Sequence, residues 1–435
     1  MSRASDPPSA VVPWSAVLYC GLVIALALVL GGGTAKGLWS AFVIQLAVLP
    51  LILVTDFQAA IRHLGRLGTA VLVGTILIFA LQLLPLGLVD HPSVPEAGSL
   101  TLGMGRTLDS LAFMLAAFTM LVFATGLSEN DHNRLLRFFF LGLVVNMAVA
   151  LVQFAATRQV VIGLLPYEPV AGFFANPNHF SSLLFVAIPF VVYQAVSMQR
   201  AWVAVPVVAF VIFIQFAAGS VAGIFIALGC TLLSFAVLAP MKGVARAVLG
   251  AAVLLGSAVL LLNPGNVLGL RPDSALDRPA IFATAFEAAL ASLPWGSGFG
   301  TFTLAYPRVQ SADEFFSEVV NHAHNDFLEL FIEGGIPALL LMLAYVTLLA
   351  WRVLLRPCLP IQRAAALAVL FVLVHTLVDY PLRTMGLAMV FAWLNAIILS
   401  RMDAMVPTVA IMADGDAAQQ PRQGDERVRA LVRVN

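Results

Sequence analysis

Long apolar runs, separated by short polar breaks, dominate the chain from Trp14 onward. The runs are roughly 17 to 22 residues, the length a helix needs to cross a hydrocarbon core. The pattern predicts about twelve spanning helices, at 14–32, 38–55, 67–88, 107–127, 135–156, 180–197, 201–218, 220–238, 243–262, 336–355, 363–379 and 385–401. The expected fold class is therefore all-α, a polytopic helical membrane protein with one long loop containing short helices. In that loop, residues 263–325, a helix is expected from about Arg278 to Ser292, ahead of the turn-rich PWGSGFGTF.

Composition agrees with this picture. Of 435 residues 61% are hydrophobic and 11% charged, against about a quarter charged in a soluble domain. Net charge is zero, so nothing global points to nucleic acid. Cys20, Cys230 and Cys358 are scattered in or beside apolar runs and suggest neither a disulfide framework nor a metal cluster. No small-residue cleavage site clearly follows the first run, which reads as an uncleaved helix.

The cations fix an orientation. With the N-terminus inside, Arg3, Arg62, Arg66, Arg134, Arg137, Arg200, Lys242, Arg246, Arg352, Arg356, Arg363 and Arg401 all fall inside, and the opposite short loops hold only Lys36, Arg106, Arg158 and Arg383. Both termini are then expected to be cytoplasmic. The chain divides into an N-terminal bundle of about nine spans (1–262), an outer loop (263–335), C-terminal spans (336–401) and a polar tail (402–435) expected to be disordered. Parity gathers four polar segments on the outer face: the loop with GFFANPNH, the turn at Gly219-Ser220, the long loop, and Asp379 to Arg383.

The stretch NHAHNDFLELFIEGG, residues 321–335, packs His322, His324, Asp326, Glu329 and Glu333 between the long polar loop and a hydrophobic span. On a helix Asp326, Glu329 and Glu333 share one face. Gly334-Gly335 should end that helix, and Pro337 suits the first turn of the next. The plainer reading is an interfacial helix with a solvated acidic face. His324 is the best candidate base, because imidazole titrates near neutrality and Asn325, Asp326 or Glu329 could orient it; His322 competes for the role. The His-Ala-His run lacks a further ligand at helical spacing, so no metal is expected.

Arg278 and Arg383 are candidates to grip phosphate oxygens, with pairing to Asp277 or Asp379 as the structural alternative. Asn176, Asn178 and His179 could bind sugar hydroxyls, or simply form the turn into span six. Gly296, Gly298 and Gly300 follow no strand and read as a flexible loop turn rather than a nucleotide fingerprint. His375 and Asp379 share a face and could be a buried structural pair.

From about Gly172 to Pro381 the chain resembles the bacterial O-antigen ligase and polysaccharide polymerase superfamily of integral membrane glycosyltransferases. The resemblance rests on GFFANPNHFSSLL, DRPAIFATAFEAALASLPWGSGFGTF, AHNDFLELFIEGGIP and HTLVDYPLR, in that order. It implies an inverting, metal-independent, cofactor-free transfer of glycan from an undecaprenyl-diphosphate donor to a hydroxyl of lipid A core or of another repeat unit. The site would be periplasmic, on the inner membrane, with other polysaccharide export components as further partners. By position His324 resembles the essential histidine and Arg278 an arginine that engages the donor diphosphate. Family members commonly carry an arginine in a Ser-Arg-Gly element before span eight, where this chain reads Gly219-Ser220-Val221-Ala222-Gly223; Arg383 or Arg158 would have to replace it. A transporter or flippase is the alternative class, but transporters tend to hold ionisable groups near the midplane, whereas the midspan polar residues here are mostly uncharged, such as Gln45, Asn146, Gln153 and Gln215.

Overall fold

The structure, a computed structural model, describes residues 12–34, 38–85, 98–155, 170–239, 243, 250–251, 278–311 and 319–402. Over these residues the chain is helical and has no strand. Among the described residues the longer helices are α1 (Trp14–Leu30), α2 (Trp39–Val48), α3 (Phe57–Leu83), α4 (Met104–Thr125), α5 (Glu129–Ala155), α6 (Pro177–Ser197), α7 (Ala204–Ala218), α8 (Val221–Leu238), α9 (Arg278–Ala291), α10 (Asp326–Leu354), α11 (Pro360–His375) and α12 (Met385–Leu399). Among the described residues, seven helical segments, carrying α3 to α8 and α10, are long and apolar enough to cross a membrane, and α1, α2 with its 3-10 extension, α11 and α12 are shorter apolar helices. Most of the run expected at 243–262 lies outside the described residues, as do Arg158 and the tail from residue 403.

Two boundaries differ from expectation for one reason. The span expected from residue 67 is preceded by a helical segment starting at Phe57, capped by Asp56, whose side chain accepts from Ala59 N at 2.9 Å. The two parts join at Gly65, where φ is 67°. Likewise, the helix expected over 321–335 and the span expected from 336 form one broken element, α10, with the break at Gly335, φ 60°. Gly334-Gly335 and Pro337 therefore act as the sequence suggested.

The break in α10 frees backbone groups that the glycine-rich loop satisfies. Ser297 N donates to Ile332 O at 2.9 Å, Gly298 N to Glu333 O at 3.0 Å, and Ile336 N to Pro294 O at 3.0 Å. Gln82 of α3 completes the joint, donating to Glu333 O at 2.8 Å and accepting from Phe299 N at 3.1 Å. Residues 296–300 are all buried. The expectation of a flexible turn is thus corrected, because backbone donors of the loop meet the orphan carbonyls of a broken helix.

At the centre stands α6, buried at every residue from His179 to Phe190 and packed against α7, α8 and α11. α1 lies along α5 at a separation set by glycine, since a Cβ at Gly142 would meet Leu28 Cδ1 at 2.7 Å. Deeper in the bundle Phe139, Phe190 and Trp393 form an aromatic layer, with centroids of the latter two 6.1 Å apart. Two buried midspan amides hold the loop before α6: Gln153 Oε1 accepts from Ala171 N and Gly172 N at 3.0 Å each, and Asn146 Oδ1 accepts from Phe173 N at 3.0 Å. That loop, α9, the N-termini of α6 and α10, and the α11–α12 connection meet at one end of the bundle.

Candidate functional site

Asn325 caps α10, its side chain accepting from Leu328 N at 3.0 Å, and so fixes where the helical phase begins. From that start the spacing of three and then four residues turns Asp326, Glu329 and Glu333 to one face. The face is not solvated: the three are 6%, 1% and 0% exposed. Arg383 reaches it from the α11–α12 connection, with Nε 3.1 Å from Asp326 Oδ1, Nη1 3.1 Å from Glu333 Oε2 and Nη2 3.5 Å from Glu329 Oε1. Burial alone would favour its neutral form, but Glu329, Glu333 and Asp326 together raise its pKa and hold it charged. Glu329 also receives the ring of His322 on Oε1 and Ala323 N on Oε2, both at 2.9 Å. Arg383, a candidate phosphate ligand by sequence, is thus engaged by three carboxylates, and His322 is fixed by Glu329.

The second cluster centres on Asp379, just beyond the end of α11 and 1% exposed. Its Oδ1 accepts from Tyr380 N at 2.8 Å and lies 3.5 Å from His179 Nε2 and 3.9 Å from His324 Nδ1. Asn178 Nδ2 donates to its Oδ2. Arg278, at the start of α9, lies 4.0 Å from the same oxygen through Nη2 and donates from Nη1 to Val378 O at 3.2 Å. Burial pushes the Asp379 carboxyl up, but its contact with the His179 ring outweighs that and holds the group below the usual carboxylate range. It is a fixed anion.

Tyr380 lies between three imidazoles, its ring centroid 4.8 Å from His179, 4.2 Å from His322 and 5.0 Å from His324. Burial, then Asp379, raises its phenol pKa, so it stays neutral. The ring spaces the histidines apart and keeps the His322–Glu329 pair separate from the His324–Asp379 pair.

His324 sits in a left-handed turn, φ 50°, that no glycine supplies. Asparagine, aspartate and histidine tolerate that region better than most residues, but it still costs on the order of 1 kcal/mol or more. Both ring nitrogens are buried without a hydrogen-bond partner. Burial lowers the imidazole pKa below 6.5, partly offset by Asp379 and reinforced by Arg278 and His322. The result is a neutral, strained, unpartnered imidazole with a fixed carboxylate facing Nδ1, an arrangement suited to accepting a proton at Nε2.

Of the residues picked out by sequence, His322, His324, Asp326 and Glu329 meet Asn178, His179, Arg278 and Arg383 here. Asn176 instead caps α6, accepting from Asn178 N at 2.8 Å, and Pro177 takes the first helical position. Asp379, Tyr380 and Glu333 were not among the site candidates, although HTLVDYPLR and the acidic spacing had singled out their segments. His375 and Asp379 are both buried but do not pair through their side chains; His375 Nδ1 meets Ser182 Oγ at 2.8 Å. At the turn before α8, Ser220 caps the helix, and a Cβ at Gly223 would clash with Ser181, two residues after His179. Val221 is exposed there.

These features define a polytopic helical membrane protein with a cluster of buried ionisable side chains at one end of the bundle. Residues 181–343 match the family model described as O-antigen ligase. Over that span the chain is similar to the O-antigen ligase and polymerase superfamily. No curated protein matches the chain. The matched span carries Arg278, His324 and the acidic face of α10, while His179, Asp379 and Arg383 join the site from outside it.

Proposed function

We propose that this chain is an inverting, metal-independent glycosyltransferase that moves a glycan from an undecaprenyl-diphosphate donor to an acceptor hydroxyl, as an O-antigen ligase or surface-polysaccharide polymerase. The observation that carries the reading is His324: neutral, buried, free at both nitrogens and 3.9 Å from the fixed anion of Asp379. Asp379 favours the tautomer with the proton on Nδ1, leaving the Nε2 lone pair for the acceptor. His324 Nε2 takes the acceptor O–H proton as that oxygen bonds to the anomeric carbon. On the opposite side the bond from that carbon to the diphosphate oxygen breaks, and its electron pair leaves with the lipid diphosphate. Arg278, partly exposed at 35%, is positioned for the charge that develops there. Attack opposite the leaving group inverts the anomeric centre.

The positive charges in the connections support a twelve-span arrangement with both termini cytoplasmic and the site periplasmic on the bacterial inner membrane. Asn178 then acts by holding Asp379, with His179 beside the same carboxylate. Lipid A core or a glycan repeat unit is the acceptor.

The test is the profile of lipid-linked and surface glycans in a strain lacking the gene, complemented with wild-type or His324→Ala protein. Single repeat units without long chains mean a polymerase. Long chains kept on the carrier mean a ligase. A normal profile from well-expressed His324→Ala protein would sink the mechanism.

A further inference from the structure

Apart from Arg278 at its start, α9 carries a single ionisable side chain, Glu287, and is apolar around most of its circumference. A helix apolar all round belongs in a protein core or in lipid. One face of α9 is in a core: Ile281, Ala285, Ala288 and Ala289 are buried in a cluster with Phe302 and Ile332. The other is not, since Phe286 and Leu290, four residues apart, are each 51% exposed.

The exposed face continues into a surface that meets hydrocarbon. Phe286 packs against Phe331 of α10 at 6.4 Å between centroids. After the helix the chain runs to Trp295, 40% exposed, whose backbone lies against the Gly335 break. From that break the membrane-crossing half of α10 presents Ile336, Leu340 and Leu343, all exposed. At 14 residues α9 is too short to span, as a helix of about that length is a core, interfacial or re-entrant segment. A tryptophan at the level where a neighbouring span begins is the usual anchor at a membrane–water interface.

We infer that the face of α9 bearing Phe286 and Leu290 is immersed in the leaflet on the site's side, with the acyl chains of the bilayer as its partner. The helix then lies in the interface and holds Arg278, at its first residue, near the plane of the lipid phosphates. A lipid-borne phosphate would reach that guanidinium by lateral diffusion without leaving the headgroup layer. The inference concerns placement in the membrane and stands whether or not the chain transfers glycan.

The experiment uses the full chain in phosphatidylcholine–phosphatidylglycerol vesicles. A Cys358→Ser background leaves only the buried Cys20 and Cys230. Phe286→Cys, Leu290→Cys, Glu287→Cys and Ala291→Cys, each confirmed monodisperse by size-exclusion chromatography, carry an environment-sensitive fluorophore. Labels at 286 and 290 should be quenched roughly threefold or more by lipids with a spin label high on the acyl chain, relative to labels at 287 and 291, which iodide should quench instead. Equal iodide access at all four positions overturns the inference. Shielding at 286 and 290 that disappears as the protein is diluted into excess lipid also overturns it, because a second copy would then be the cover.

Discussion

His324 Nδ1 lies 3.9 Å from Asp379 Oδ1, close enough to feel its charge and too far for a hydrogen bond. Asp379 is held by hydrogen bonds from Asn178 and from its own neighbour Tyr380, so it is the imidazole that has room to adjust. A geometry of this kind tightens when a substrate hydroxyl arrives on the other nitrogen.

Replacing His324 by Asn keeps a side chain tolerated in the left-handed region while removing the base. Transfer should fall by about 10²- to 10⁴-fold, the usual worth of a positioned acid–base group. Folded protein in detergent should be unchanged by size-exclusion chromatography.

The pH profile separates orientation from electrostatics. The base must be neutral, so the rate rises with pH through the His324 pKa, which burial sets below 6.5. Asp379 pulls that pKa upward, so Asp379→Asn should shift the acid limb further toward low pH while lowering the plateau. A limb that moves toward neutrality in a stopped assay with purified lipid-linked donor would exclude Asp379 as the partner of His324.

Arg383 and Arg278 should part company. Arg383→Ala leaves three carboxylates without their cation in a buried site, a loss of about 3–5 kcal/mol. It should lower the thermal unfolding midpoint markedly, and Arg383→Lys, which cannot bridge all three, should recover only part of the loss. Arg278→Ala should lose transfer at an unchanged midpoint. If Arg383→Lys instead kept full stability and lost only activity, the guanidinium would be a substrate ligand after all.

Gly335→Ala places a Cβ against Pro294 O at a positive φ of 60°. The strain and clash together should cost about 1–3 kcal/mol or more. Limited proteolysis of the 294–300 segment should accelerate, since its hydrogen bonds depend on the break in α10.

Much of the layout was legible because membrane spans impose a length and helices impose a period. The acidic face of α10 followed from spacing alone, as did its end at Gly334-Gly335 and the helix beginning at Arg278. What spacing could not give was the partner of each side chain. Sequence offered Arg383 only Asp277 or Asp379 as a carboxylate partner, because the three carboxylates it meets lie some fifty residues earlier. Asp379 looked like half of a local pair with His375, and only the packing of α6 against α11 turns it toward Asn178 and His179. The run of glycines at 296–300 reads as flexibility in any sequence; its order comes from carbonyls of a broken helix to which nothing local points.

The aromatic layer of Phe139, Phe190 and Trp393 bears on cellular energetics. On the proposed reaction, a proton taken up by His324 lies at the N-terminal end of α6 beside partly exposed Arg278, while that layer lies further along α6 at Phe190. It returns to the compartment from which the acceptor came. A turnover then moves no net charge across the bilayer, and glycan transfer runs on the donor's own phosphate linkage, at the same rate in vesicles whether or not a proton-motive force is imposed.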